Sequence, residues 1–243
     1  MRIDTYFTVP EVESDSIVGA TAVVIDVVRA TTTIVEALAN GARSIYPTDS
    51  TEEAVRLASS MGREDSLLCG ERRGLKVEGF DLGNSPGEFT ADVVAEKKLV
   101  MSTTNGTRAI AAARGGERIL PCAFTNLGAV AREIASDERI AVICAGRNDN
   151  FGLDDALCAG HLILRVLAEL GDDAEEPDFN DSSRAVRALA SAREPTRGFI
   201  GRSSAGASVI EIGLGDDLDI CCDVDRHDIV ATMTDQAITR AGA

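Results

Sequence analysis

The apolar run TAVVIDVV, residues 21–28, is almost unbroken and rich in β-branched residues, the pattern of a strand covered on both faces. ATTTIVEALANGA follows with helical spacing and closes on Asn40-Gly41, a helix-ending pair, and RSIYP then reads as a second strand. TDSTEEAVRLASS opens with Ser50 and Glu53 at capping-box spacing and continues as a helix. This strand-helix-strand-helix order predicts a layered α/β fold.

The same order recurs in KLVMSTTNGTRAIAAARGGERILPCAFTNLGAVAREIAS. Thr33 aligns with Thr107, Gly41 with Gly115, Ile45 with Ile119, Pro47 with Pro121 and Thr51 with Thr125, at a constant offset of 74 positions. A third unit follows, with ERIAVICAG as strand, RNDNFG as loop and LDDALCAGHLILRVLAEL as helix. Ser85-Pro86-Gly87-Glu88 predicts a helix start with proline in the first turn, and VIEIG near the end reads as a short strand. GDDAEEPDFND, residues 171–181, reads as a solvated acidic loop. The expectation is one domain over residues 1–243, a three-layer α/β/α fold with a parallel or mixed sheet, its repeat suggesting duplicated β-α-β-α units.

Charge narrows the partners. The net charge is −16, and the basic residues are 21 Arg against 3 Lys (76, 97 and 98). Such a surface repels nucleic acid and anionic membranes. An acidic, lysine-poor surface fits work in multimolar salt, although an acidic protein of a GC-rich genome would look similar. The six cysteines are scattered with no Cys-x-x-Cys pair, as expected of reduced, mostly buried thiols in the cytoplasm, Cys144 and Cys158 among them. No apolar run is long enough to span a bilayer, and MRIDTYFTVPE lacks a signal peptide's apolar stretch. A homo-oligomer is left open.

In α/β sheets, loops leaving the carboxyl ends of strands carry the site. Here those loops are VVRATTT, STTNGTRA and CAGRNDNFGLDD, the first two dense in hydroxyls and leading into helices. Arg29, Arg72, Arg73, Arg108 and Arg147 lie in or beside these loops and the GERRG segment, pointing to a small, strongly anionic ligand. Helix capping alone explains any single hydroxyl. Asp26, Glu71, Asp81 and the Asp154-Asp155 pair stand in the same places, and hard carboxylates without histidine suit Mg²⁺. His161, on a largely apolar helix, reads as a core residue. There is no Gly-x-x-x-x-Gly-Lys-Ser/Thr loop, no cysteine with Arg six residues on, and no Asp-x-Asp from Asp26, since position 28 is Val.

DVVRATTTI, CGERRGLKVEGFDLGNSP, STTNGTRA, CAGRNDNFGLDDALCAG and the tail GASVIEIGLGDDLDICCDVDRHDIV together resemble the successive motifs of the ComB family, the 2-phosphosulfolactate phosphatases of coenzyme M biosynthesis. The resemblance implies an α/β/α fold and Mg²⁺-dependent hydrolysis of (2R)-2-O-phospho-3-sulfolactate. Two positions depart from it: the family shows Leu-Glu-Asp where this chain has Leu153-Asp154-Asp155, favouring Asp155 for the carried-over role, and Gly-Arg where it has Gly206-Ala207.

The resulting expectation makes Asp26, Glu71, Asp81 and Asp155 the Mg²⁺ shell, with Asp26, Arg29, Arg108 and Asp155 catalytic. Ser102, Thr103, Thr104, Asn105, Gly106 and Thr107, with Arg108, would hold one anionic group, and Arg29 with Thr31, Thr32 and Thr33 another. Arg72, Asn84, Gly146 and Arg147 complete the substrate contacts. Water is expected to attack directly, because the +2 carboxylate of the phosphoenzyme route is missing. The rival readings are a phosphatase for another phosphorylated 2-hydroxy acid, and an anionic-metabolite binder without hydrolysis.

Overall fold

Along the first predicted strand, Val23, Ile25 and Val27 pack in one apolar cluster while Ala22 and Val24 pack in another, so both faces of the strand are buried. That is the physical reason the run carries no polar alternation. The computed structural model describes residues 1–62 and 64–242. Its strands are β1 (Arg2–Tyr6), β2 (Thr21–Ile25), β3 (Ser44–Pro47), β4 (Ser66–Arg72), β5 (Leu75–Lys76), β6 (Lys98–Ser102), β7 (Arg118–Cys122), β8 (Arg139–Cys144), β9 (Asp178–Phe179), β10 (Ala231–Thr234) and β11 (Ala237–Arg240). They form a mixed sheet in the order β5-β4-β6-β3-β11-β10-β7-β2-β8-β1-β9.

The helices are α1 (Ala30–Ala39), α2 (Thr51–Met61), α3 (Ala91–Val94), α4 (Gly106–Ala112), α5 (Leu127–Ile134), α6 (Leu153–Leu170), α7 (Asp181–Ala192), α8 (Arg197–Ile200), α9 (Ser204–Glu211) and α10 (Asp217–Cys221). Val130 of α5 and Leu162 of α6 join the cluster on one face of the sheet; Ile34 of α1 and Ile110 of α4 join the other. Helices therefore cover both faces, as the three-layer expectation requires.

The repeat has a topological counterpart. Each copy's first strand pairs in parallel with the other copy's second: β2 with β7, and β6 with β3. Ile45 and Ile119, equivalent in the repeat, each also bridge the β10–β11 hairpin, to Ile238 and Met233. Because the hairpin pairs antiparallel on both sides, β3, β4 and β6 run opposite to β2, β7 and β8. A flat sheet would send the ends of β2 and β6 to opposite edges. Five strand steps at roughly 20 to 25° of twist each turn β6 far enough to bring the two ends together.

Several elements differ from the sequence reading. β2 stops at Ile25, not at residue 28, because side chains take over its backbone: the Asp26 N–H donates to Thr31 Oγ1 at 2.9 Å and the Val27 N–H to Asp155 Oδ1 at 2.8 Å. Pro86–Glu88 is only a 3₁₀ turn, and the Ser85 hydroxyl donates to Asp217 instead of capping it. Val209, Ile210 and Glu211 lie in α9, capped by Ser203, not in a strand: the cap and the burial of Val209 outweigh local β propensity. Within the acidic loop, Asp178 and Phe179 pair with Arg2 and Ile3 as an edge strand. Ser50 does cap α2, accepting from the Glu53 N–H at 3.1 Å.

Candidate active site

The loops leaving β2, β4, β6 and β8 enclose a cleft of about 640 Å³, joined on one side by α9. Its acids are Asp26, Glu71, Asp154 and Asp155; its cations are Arg29, Arg72, Arg73 and Arg147.

Asp26 follows β2 directly and is 7% exposed. Its Oδ1 accepts from the Ala30 N–H at 3.2 Å, at the start of α1. Its Oδ2 lies against Gly106, where an added Cβ would sit 2.8 Å from that oxygen and 2.3 Å from Ala30 Cβ. Glycine at 106 is thus what allows the β6–α4 loop to close on Asp26. Burial pushes the Asp26 carboxyl up to about 7; the Ala30 N–H opposes this, while the charges of Asp154 and Glu71 add to it and Arg29 opposes it.

Asp154 and Asp155 open α6 with different partners. Asp155 is fully engaged, Oδ1 accepting from Val27 N–H and Oδ2 from Gly146 N–H at 3.0 Å. Burial, then the charges of Asp154 and Asp26, raises its carboxyl well above the usual range. Asp154 is 2% exposed, and its buried Oδ1 has no hydrogen-bond partner among the described residues. Burial pushes Asp154 up to about 6, against the opposing pull of its own N–H, the Ser203 hydroxyl and Arg147. Glu71 has both oxygens occupied, accepting from Thr104 N–H at 2.7 Å and Gly74 N–H at 2.6 Å, and so ties two loops together.

The arginines divide by their partners. Arg29 is buried, donating to Asp217 at 2.7 Å and to the Gly74 carbonyl at 2.6 Å, so its charge is matched. Arg72 donates to the Glu71 carbonyl and to the carbonyl and hydroxyl of Ser102. Arg147 donates to the Ser204 carbonyl and, at 2.8 Å, to the Ser208 hydroxyl of α9. Neither Arg72 nor Arg147 meets a carboxylate in an ion pair among the described residues, so both bring positive charge to the cleft.

Of the predicted substrate contacts, Arg72, Asn84, Thr103, Thr104, Asn105, Gly146 and Arg147 line the cleft, and Thr31, Thr32, Thr33, Ser102, Gly106 and Thr107 do not. The hydroxyls of Thr31 and Thr32 donate to the Asp26 and Val27 carbonyls at 2.8 and 2.7 Å, and that of Thr33 to the Asn84 carbonyl at 3.0 Å. They build the wall behind the cleft. Thr107 returns its hydroxyl to the Thr103 carbonyl, and its N–H to the Thr103 hydroxyl, as a helix cap would.

Arg108 lies outside the cleft, paired with exposed Asp149 at 2.9 Å. With Gly106 turned toward Asp26, a residue two positions on points about 200° around the helix, to solvent. Asp81 does not line the cleft either; its Oδ2 accepts from the Leu68 N–H at 2.7 Å beside β4. The expected four-carboxylate shell is therefore not assembled, and no group of three or more His, Cys, Asp and Glu side chains poised for a metal occurs among the described residues. The sequence offers Asp154 beside Asp155 as a candidate carboxylate, and the family resemblance favours Asp155; the orphaned oxygen of Asp154 is visible only once α6 is placed.

The residues nonetheless suit Mg²⁺, which takes one or two protein carboxylates and completes its shell with water and substrate phosphate. Among the described residues, Asp26 Oδ2 and Asp154 Oδ1 accept no hydrogen bond. Asn84 Oδ1 and Thr104 Oγ1 at the cleft are also buried and unpartnered among the described residues. Free carboxylate oxygens, arginines without a carboxylate in an ion pair among the described residues and unpaired neutral groups thus line one cleft, a site suited to a small phosphorylated molecule.

The family model described as 2-phosphosulpholactate phosphatase matches residues 6–236. Proteins named "Probable 2-phosphosulfolactate phosphatase" are similar along the chain. That of Clostridium acetobutylicum is 35% identical over 98% of this chain and 100% of its own length. That of Thermotoga petrophila is 40% identical over 88% of both, and that of Symbiobacterium thermophilum 39% identical over 91% of this chain and 94% of its own. The chain belongs to the 2-phosphosulfolactate phosphatase family, and is a phosphoric monoester hydrolase.

Proposed function

We propose that the cleft hydrolyses 2-phospho-3-sulfolactate to 3-sulfolactate and phosphate with Mg²⁺ held by Asp26 and Asp154, the step that the family resemblance assigns to coenzyme M biosynthesis. The observation that carries this reading is Asp154 Oδ1, unpartnered among the described residues and buried in the cleft that Asp26 also lines, together with Arg72 and Arg147, which meet no carboxylate in an ion pair among the described residues. Mg²⁺ held there by Asp26 and Asp154 would supply charge neutralisation for the phosphoryl group.

The chain's own groups do the rest. Arg72 and Arg147, held by their bonds to Ser102 and α9, present donors to the phosphoryl group, and electrostatic preorganisation of this kind is the largest single contribution in many enzymes. Thr104 offers its unpartnered hydroxyl from a loop that Glu71 holds in place. Asp155 positions: it clamps the backbone after β2 to the backbone after β8, fixing Asp26 relative to Asp154. Water attacks phosphorus directly, since Val28 stands where the phosphoenzyme route needs an acid. Phosphate release from 2-phosphosulfolactate and from 2-phospholactate, each with and without Mg²⁺, tests the reading. Release from the former in preference is expected; preference for the latter moves the substrate, and release from neither leaves an anion-binding protein.

A further inference from the structure

Arg73 differs from the other three cleft arginines: among the described residues it makes no hydrogen bond or ion pair, and its side chain is exposed. Its backbone is unusual as well. Arg72 pairs with Leu75 across β4 and β5, leaving Arg73-Gly74 as a two-residue hairpin loop. Both loop residues have positive φ, +55° at Arg73 and +83° at Gly74, the signature of a type I′ turn. Asn or Gly normally fills the first of these places, because a longer side chain costs free energy in the left-handed region.

The turn is also pinned. The Gly74 N–H donates to Glu71 Oε2, its carbonyl accepts from Arg29, and a Cβ on Gly74 would meet Ile212 Cδ1 at 2.8 Å. A rigid, conformationally costly turn thus holds a free guanidinium at the cleft rim. Asp26 and Asp154 are buried in the cleft while Arg73 is exposed, so Arg73 offers its charge to the solvent-facing part of a bound substrate.

We propose that Arg73 is a specificity-determining residue that binds the substrate's sulfonate, the anionic group that separates phosphosulfolactate from phospholactate. This rests on the phosphatase reading above. A guanidinium presents paired N–H donors to two oxygens of such a group, which an ammonium does less well.

Arg73→Asn tests it with the turn preserved, since asparagine suits this position; its Tm should equal or exceed that of the unaltered protein. The ratio of kcat/KM for 2-phosphosulfolactate to that for 2-phospholactate should fall by about tenfold or more, mainly through KM, with partial recovery in Arg73→Lys. A ratio within about threefold of the unaltered protein's overturns the proposal, as does an equal loss with both substrates, which assigns Arg73 to the phosphate or carboxylate. Calorimetric titration with 3-sulfolactate and with lactate separates this from the phosphatase reading. If the unaltered protein hydrolyses neither phosphate ester, that reading falls, while weaker sulfolactate binding by Arg73→Asn still supports the contact and unchanged or absent binding overturns it.

Discussion

Asp154 and Asp155 are neighbours in sequence with opposite duties. One keeps a buried oxygen free, while the other spends both oxygens on backbone N–H groups. Asp154→Asn should therefore lower kcat by about 100-fold and raise the Mg²⁺ concentration needed for half-maximal rate, as measured by phosphate release. Arg108→Ala should change kcat/KM by less than about threefold, because an exposed pair with Asp149 is worth little and does not reach the cleft. The pH dependence follows from burial. The folded state holds the Asp26 and Asp154 protons more tightly than the unfolded chain does, at about 7 and about 6 against 3.8. That preference is fully present below about pH 4 and is lost progressively as pH rises through 6 and 7. With a chelator present, Tm should fall by about 5 °C or more between pH 5 and pH 8, and excess Mg²⁺ should remove most of the fall, as followed by calorimetry. The place of Asp26, Glu71, Asp155, Arg72 and Arg147 in the cleft was legible in sequence because each stands at the carboxyl end of a strand, just beyond one, or, for Asp155, in the first turn of the helix that follows. The threonines were not, because a hydroxyl that binds ligand and one that caps a turn share the same residue type and place.

At the level of elements, the meeting of β2–α1 with β6–α4 sets the site. Gly106→Ala would force a Cβ between Ala30 and Asp26, and overpacking of this kind costs about 1 to 3 kcal/mol. The expected outcome is a modest drop in Tm with a much larger loss of turnover, since the atom displaced is Asp26 Oδ2; a loss of stability alone would separate the loop from the chemistry. The strand-helix order of both copies was readable from period and capping, and the offset of 74 positions led to the equivalence of Ile45 and Ile119. What the pattern did not reveal was the β10–β11 hairpin between the copies, whose short strands ATMT and AITR carry no apolar run. Nor did it reveal the exchange of pairing partners, because register between distant strands is fixed by tertiary contacts and leaves no local mark.

Across the whole molecule, a chain of net charge −16 gathers four arginines around one cleft, and three of them meet no carboxylate in an ion pair among the described residues. The acids beside them are buried and mutually repelling, an arrangement that favours binding of a divalent cation together with an anionic substrate. No described helix is long and apolar enough to cross a membrane. The family assignment and the cleft agree on phosphate ester hydrolysis; the role of the metal is the claim on which the account turns. Phosphate release from 2-phosphosulfolactate, followed as Mg²⁺ is added back to chelator-treated enzyme, tests it most directly. The account predicts negligible release without the metal and a saturable rise on its return; release at the full rate in the chelated enzyme would contradict it.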